Sequence, residues 1–335
     1  MDRDGATLRR QGRISGMRAF LAAVGIAAVM AANPAAAQPY PNRPIKLIVP
    51  FPPGGPVDVM ARLVAQRLSQ SLGPIIIDNR PGAGGTIGAK SAAAADPDGY
   101  TLLFGSSTTL AASPALYRNL GYDPIASFAP VAMISSVPFA LVVAPAFPAR
   151  TVQELVAYAK RNPGKVNFGA PTGTLPHLTA AMFRAAAAID IVHIPYRGAA
   201  NAVTDMLTGQ IDMAFEPTSV LLGHISDGKL RPLAVTGPAR SAELADVPTM
   251  IESGFPGFVS LSWSGIVAPA GTPAEIVRTL NAAVNAAIGA ADTRQSLAKM
   301  GAEPRAGTIE EFAALLAAEA PKWAAVVKAA GIKIE

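Results

Sequence analysis

The 335-residue chain contains no cysteine. That absence excludes disulfides, a thiol nucleophile, thiolate metal sites and lipid attachment through a cysteine. Histidine is scarce: His177, His193 and His224 are the only three, and no two stand at the spacing that lets one helix face grip a metal. A G-x-S-x-G nucleophile elbow is also missing, so the residue types present assemble no hydrolytic constellation. Charged residues are sparse, at 15%, and no Lys/Arg-rich block remains outside the N-terminal segment to follow a phosphate backbone, which argues against nucleic acid.

The N-terminal segment reads as a cleaved secretory leader. Arg3, Arg9, Arg10, Arg13 and Arg18 precede an apolar run over 19–32, followed by Ala35-Ala36-Ala37; a positive end, a short apolar core and a small-residue cleavage site are the order of an export signal. The run is shorter than the roughly 20 residues needed to span a bilayer, and polar residues follow at once. Cleavage is expected after Ala37, with Met1 or Met17 as the start. Arg9-Arg10 lacks the apolar residues expected after a twin-arginine pair, which favours ordinary export. Of 28 basic and 23 acidic residues, the leader holds five Arg and two Asp, so the high pI belongs largely to the leader and the mature chain is close to neutral.

The mature chain reads as strands alternating with helices, the pattern of an α/β parallel sheet flanked by helices. Strands are expected at 45–49, 75–77 and 100–104. A helix begins at Pro56, with Val59, Met60, Leu63, Val64 and Leu68 on one face. The pattern restarts with strands at 140–143, 166–169, 191–195 and 210–215 and helices at 152–161, 176–187 and up to Leu207. From Pro273 onward the chain is helical, over 274–290, 293–300 and 309–329. A mature chain of about 300 residues often forms two domains. The expected division is 38–140 plus 266–335 as the first lobe and 141–265 as the second, joined by crossings near 135–145 and 250–268. Two Rossmann-like lobes on a two-crossing hinge favour closure around a ligand.

Two strand–loop–helix corners, Phe51 to Asp58 and Ala170 to His177, carry the clearest chemistry. The first amides of a helix lack intrahelical partners, and the dipole adds partial positive charge. Such a corner holds a carboxylate or phosphate without any Lys or Arg; the same Gly-Pro loops also serve simply as turns. Gly82-Ala83-Gly84-Gly85-Thr86-Ile87-Gly88 does not meet the G-x-G-x-x-G spacing, because Ile87 stands where the third glycine belongs. Ser106, Ser107, Thr108 and Thr109 end the third strand, where they either meet a ligand or cap the turn. Arg197 opens a further helix. Glu216 follows a strand in the second half, placed to accept from a ligand or to pair with a base. His193 reads as a satisfied core residue, and His177 as bonding local backbone.

Taken together these loops resemble the Bug family, the extracytoplasmic solute receptors of tripartite tricarboxylate transporters. The resemblance runs from Tyr40-Pro41-Asn42-Arg43-Pro44-Ile45 to Gly331-Ile332-Lys333. Its most specific segments are Pro53-Gly54-Gly55-Pro56-Val57-Asp58 and Asn79-Arg80-Pro81-Gly82-Ala83-Gly84-Gly85. Asp96-Pro97-Asp98-Gly99-Tyr100, Ile194-Pro195-Tyr196-Arg197-Gly198, Asp246-Val247-Pro248-Thr249 and Ala268-Pro269-Ala270-Gly271-Thr272-Pro273 continue it. The resemblance implies a type II periplasmic-binding fold whose cleft holds a ligand carboxylate by backbone amides, small hydroxyls and ordered water. By position it implies contacts from Phe51, Gly54, Asp58, Gly84, Gly85, Ser106 and Ser107 in the first lobe, and from Thr172, Thr174, Tyr196, Ala199 and Glu216 in the second. Ala170-Pro171-Thr172-Gly173-Thr174 departs from the family pattern: it is one residue shorter, lacks the first glycine, and Pro171 removes a donor. The expected protein is a monomeric receptor without cofactor or metal, delivering a small carboxylate to a membrane permease. A ligand sensor for a membrane kinase is the alternative, and an exported hydrolase the alternative from another class.

Overall fold

Ile45, Leu47, Ile48 and Val49 are all buried, with only Lys46 exposed, so β1 (Ile45–Val49) is apolar on both faces, as an interior parallel strand requires. It pairs in parallel with β2 (Ile75–Asn79) on one side and β3 (Thr101–Ser106) on the other. The computed structural model describes residues 40–332, and every element named here belongs to the unit Arg43–Glu335. The leader reading at 1–37 lies outside the described residues.

Helix α1 (Pro56–Leu72) connects β1 to β2, with Pro at its start, where no amide is needed. Met60, Ala61, Val64, Ala65, Leu68 and Leu72 form its buried stripe. Val59, expected on that stripe, is 43% exposed. A glycine-rich turn, Ala83–Gly85, leads into α2 (Thr86–Ala93). After β3 a π-helical stretch, Thr108–Ala112, runs into the short α3 (Ser113–Leu116).

The second group of parallel strands repeats this logic. Helix α4 (Val152–Arg161) opens on a Thr151 side chain that accepts the Glu154 amide, an N-cap worth about 1 kcal/mol. Then come β5 (Val166–Pro171), α5 (Leu175–Ala187), β6 (Ile191–Tyr196), α6 (Ala199–Leu207), β7 (Met213–Pro217), α7 (Thr218–Ser226) and β8 (Arg231–Val235). β5 pairs in parallel with β6 and β7. β7 starts later than the expected residue 210 because Asp212 and Asn167 exchange side chain–backbone hydrogen bonds just before it.

The sheet is mixed rather than parallel. β4 (Phe128–Val143) is 16 residues long. From Phe128 to Pro138 it pairs antiparallel with β9 (Leu261–Pro269), from Phe139 to Val143 with β7, and from Ala140 to Val143 with β8. β9 in turn pairs antiparallel with β3. The strand order is β2-β1-β3-β9-β4-β7-β5-β6, with β8 and β10 (Glu303–Pro304) also on β4. β4 and β9 thus stand side by side between the two parallel groups. Thr236 ties their neighbourhood together. Its hydroxyl accepts the Phe139 amide at 2.9 Å and donates to the Ser260 carbonyl at 2.5 Å.

Helices α8 (Ala274–Gly289), α9 (Ala291–Lys299) and α10 (Ile309–Ala330) complete the chain. α10 begins with a capping box between Thr308 and Glu311. Glu319 of α10 is 8% exposed and accepts from both tryptophans of the protein: the Trp323 indole at 2.9 Å and the Trp263 indole of β9 at 3.4 Å. Lys322 completes its surroundings. Phe312 packs edge-on against Trp263 at 5.7 Å, so the helix is fastened to β9 by both apolar and polar contacts.

Candidate ligand-binding site

The β1–α1 corner is organised by Asp58, which is 1% exposed. Its Oδ2 accepts the Gly54 amide and Arg62 Nε, each at 2.8 Å, and its Oδ1 accepts Asn79 Nδ2 at 2.8 Å. Asn79 Nδ2 also reaches the Phe51 carbonyl at 3.1 Å. Gly54 adopts φ +78°, which turns its amide back toward the helix. The Arg62 hydrogen bond, helped by Asn79 and the Gly54 amide, outweighs burial and lowers the Asp58 carboxyl to about 2. Arg62, half-exposed, spends its other end on Asn79 Oδ1. The pair is therefore internally neutralised, and α1 starts with no side chain capping its N-terminus.

A second uncapped helix start, that of α7 after Pro217, borders the same space. A cavity of about 400 Å³ is lined by Gly54, Pro56, Val57, Val59 and Met60 from the α1 corner and by Pro217, Ser219 and Val220 from the α7 start. Its remaining walls are Ser135 and Val137 of β4, Ser262 and Ser264 of β9, and Met300 after α9. Ser135 Oγ donates weakly to Met60 Sδ at 3.1 Å. Four serine hydroxyls and two helix N-termini thus meet mostly apolar walls, a lining that orients the head of a ligand while burying its body. Gly301, next to Met300, lies against the α7 start so closely that a Cβ there would sit 2.5 Å from Ser219 Cβ.

The other residues expected from the sequence lie on the neighbouring corners. Gly84 and Gly85 form the left-handed turn before α2, and a Cβ on Gly85 would meet Thr109 Cγ2 at 2.6 Å. Ser106 and Thr109 satisfy one another: the Ser106 amide donates to Thr109 Oγ1 at 2.9 Å, and the Thr109 hydroxyl to the Ser106 carbonyl at 3.1 Å. Ser107 Oγ accepts the Trp263 amide at 3.3 Å. Thr172 is exposed at the β5–α5 turn, while the Thr174 hydroxyl donates to the Pro171 carbonyl at 2.7 Å. His177 Nδ1 accepts the Gly173 amide at 3.1 Å and its ring stacks on His193 at 3.9 Å. Burial, with His193 and Arg184 adding to it, lowers His177 to about 4, so it is neutral at physiological pH. His193 Nε2 bonds the Ala170 carbonyl at 2.8 Å. The Tyr196 hydroxyl donates to Asp205 at 2.6 Å; burial first, then Asp205, raises it to about 12. Ala199 opens α6 half-buried.

Glu216 is fully buried, and among the described residues neither carboxylate oxygen has a hydrogen-bond partner. Burial raises its carboxyl to about 8. It stands next to Pro217 of the cavity wall. Of the twelve residues expected at the site, Gly54 is the one that lines this cavity. Sequence reading missed Ser135, Ser219, Ser262, Ser264 and Met300. The one signal available was serine interrupting otherwise apolar strand residues. Among the described residues no group of His, Cys, Asp or Glu could hold a metal, and no helix is long and apolar enough to cross a membrane.

Comparison with known proteins identifies the family of the chain. The family model described as "Tripartite tricarboxylate transporter family receptor" matches residues 60–332. Protein BugT of Bordetella pertussis is 39% identical over 94% of this chain and 96% of its own length. The solved periplasmic binding protein BugD is 35% identical with a TM-score of 0.71, covering 88% of this chain and 100% of that one. The solved R. palustris Rpa4515 with adipate is 36% identical with a TM-score of 0.74 over 88% of this chain and 100% of its own. The mixed sheet with its flanking helices is thus the type II periplasmic-binding fold, and the chain belongs to the TctC or Bug family, the solute-binding receptors of tripartite tricarboxylate transporters.

Proposed function

We propose that the chain is exported by its leader, cut after Ala37, and captures a small organic carboxylate between two lobes, 38–140 with 266–335 and 141–265. Closure hinges along β4 and β9, and the loaded form is handed to the membrane permease of a tripartite transporter. The observation that carries this reading is the cavity between the uncapped starts of α1 and α7, floored by serines from β4 and β9. A carboxylate there meets amides and hydroxyls without needing a salt bridge. Rpa4515, a family structure, holds adipate, which supports a carboxylate as the ligand here. The other residues expected from the sequence, Phe51, Asp58, Gly84, Gly85, Ser106, Ser107, Thr172, Thr174, Tyr196, Ala199 and Glu216, do not line that cavity. Asp58 acts within this set by holding the Gly54 amide rather than by touching the ligand, since its oxygens are already engaged.

The test is a thermal-shift screen of residues 38–335 against mono-, di- and aromatic carboxylates. A ligand that binds only the folded state adds about 2.7 kcal/mol at a hundredfold excess over Kd. A selective rise with one acid class supports the receptor. A response to none of them, with amines or sugars raising the midpoint instead, sinks it.

A further inference from the structure

We propose that the acid held at this site carries a single carboxylate on an apolar body, rather than two carboxylates or a hydroxylated chain. This rests on the receptor reading above and names its ligand class. The walls that decide it are Val57, Val59, Met60, Val137, Val220 and Met300, while among the described residues no Lys, Arg or His lines the cavity.

Charge balance leads to the same class. A helix N-terminus presents roughly half an elementary charge, and two of them, on α1 and α7, together balance about one carboxylate. The guanidinium of α1, Arg62, is already committed to Asp58 and Asn79, so it brings no free charge, and that of Arg305 is engaged by Ser136 and Glu303. The titratable group beside the wall, Glu216, is itself a carboxyl without a cationic partner among the described residues. A second carboxylate would therefore be desolvated against valine and methionine with nothing to pair with it, which is strongly unfavourable. An alkyl or aryl body in the same place gains from each buried carbon.

Calorimetric titration of residues 38–335 with hexanoate, adipate and malate at pH 7.5 tests this. Hexanoate is expected to bind at least about tenfold tighter than adipate, a 1.4 kcal/mol difference, with malate weaker still. Adipate or malate binding as tightly as hexanoate overturns the proposal while leaving the receptor reading intact. Binding of none of the three acids, with benzoate also silent, overturns the proposal, while the receptor reading falls only if the wider carboxylate screen above is silent as well. A variant separates placement from preference. Val220 is 40% exposed on α7, so Val220→Arg folds and adds a cation at the cavity. It should move the adipate-to-hexanoate affinity ratio by about tenfold toward adipate. An unchanged ratio means the carboxylates bind elsewhere and also overturns the proposal.

Discussion

The Gly54 amide points back at the Asp58 carboxylate, 2.8 Å from Oδ2, so the turn that opens α1 is held by a side chain from the helix it introduces. Asp58→Asn removes the charge from a buried site that three donors share. We expect a loss of about 1–2 kcal/mol at pH 7, discounting for the exposure of Arg62. The sign with pH follows from a carboxyl lowered from 3.8 to about 2 in the folded state. Its stabilisation is complete above 3.8 and fades as pH falls toward 2. Urea titrations at pH 7 and in acid should therefore show the gap between the parent and Asp58→Asn narrowing in acid; a constant gap would exclude this role.

Glu216 should behave in the opposite sense. Its folded carboxyl stands at about 8 against an ordinary 4.5, so the folded state holds a proton that the unfolded chain has released. Stability contributed by this group is present below 4.5 and is lost as pH rises toward 8. The slope it adds is at most about 1.4 kcal/mol per pH unit. Glu216→Gln keeps the shape without the charge, and its unfolding free energy should fall less steeply between pH 5 and pH 8 (roughly the window set by these two values). Identical slopes in parent and variant would refute the assignment.

Gly301→Ala should disturb the cavity without adding any group to it. The new Cβ would stand 2.5 Å from Ser219 Cβ and 2.9 Å from Ser219 Cα, at φ +67°. Backbone has to move, and the segment that moves is the start of α7. A loss of about 1–3 kcal/mol is expected, together with weaker carboxylate binding. Gly257→Ala is the control: φ is +75° there, but nothing lies within 4 Å. Its stability should fall by a comparable strain alone, with affinity unchanged.

Much of the fold was legible because its signals are local. β1 and α4 begin and end where expected, since an apolar run bounded by turn residues marks one and Thr151 marks the other. The antiparallel centre was not legible. β4 contains Pro130, Pro138 and the pair Ser135-Ser136, a composition that demotes a strand when read alone. Pairing with β9, β7 and β8, all distant in sequence, supplies what propensity does not. The same limit applied to the site. The α1 corner announced itself through Pro53-Gly54-Gly55-Pro56, whereas Ser262 and Ser264 become a cavity floor only because β9 lies beside β4. Helix α7, with Gly223 inside it and Pro217 before it, lay in a stretch to which no element was assigned, so its N-terminus went unnoticed.

Removing the carboxylate of Glu319 should cost more than an ordinary surface change. Glu319→Leu leaves the buried indole donors of Trp263 and Trp323 without an acceptor, at about 1–3 kcal/mol each where no water reaches them. Chemical denaturation should register a drop of about 2–4 kcal/mol, and a drop under half of that would show that the packing of Phe312 and Trp263 holds α10 unaided.

The clustering of those two indoles has an optical consequence. The protein has no other tryptophan, so its entire long-wavelength emission comes from one junction, where β9 meets α10. Trp263 is flanked in sequence by Ser262 and Ser264 of the cavity floor. Any rearrangement of that floor on ligand capture changes the field around a single carboxylate shared by both emitters. If ligand is captured there, the intrinsic emission of the parent sequence is expected to report it without a label, as a change read in a stopped-flow cuvette.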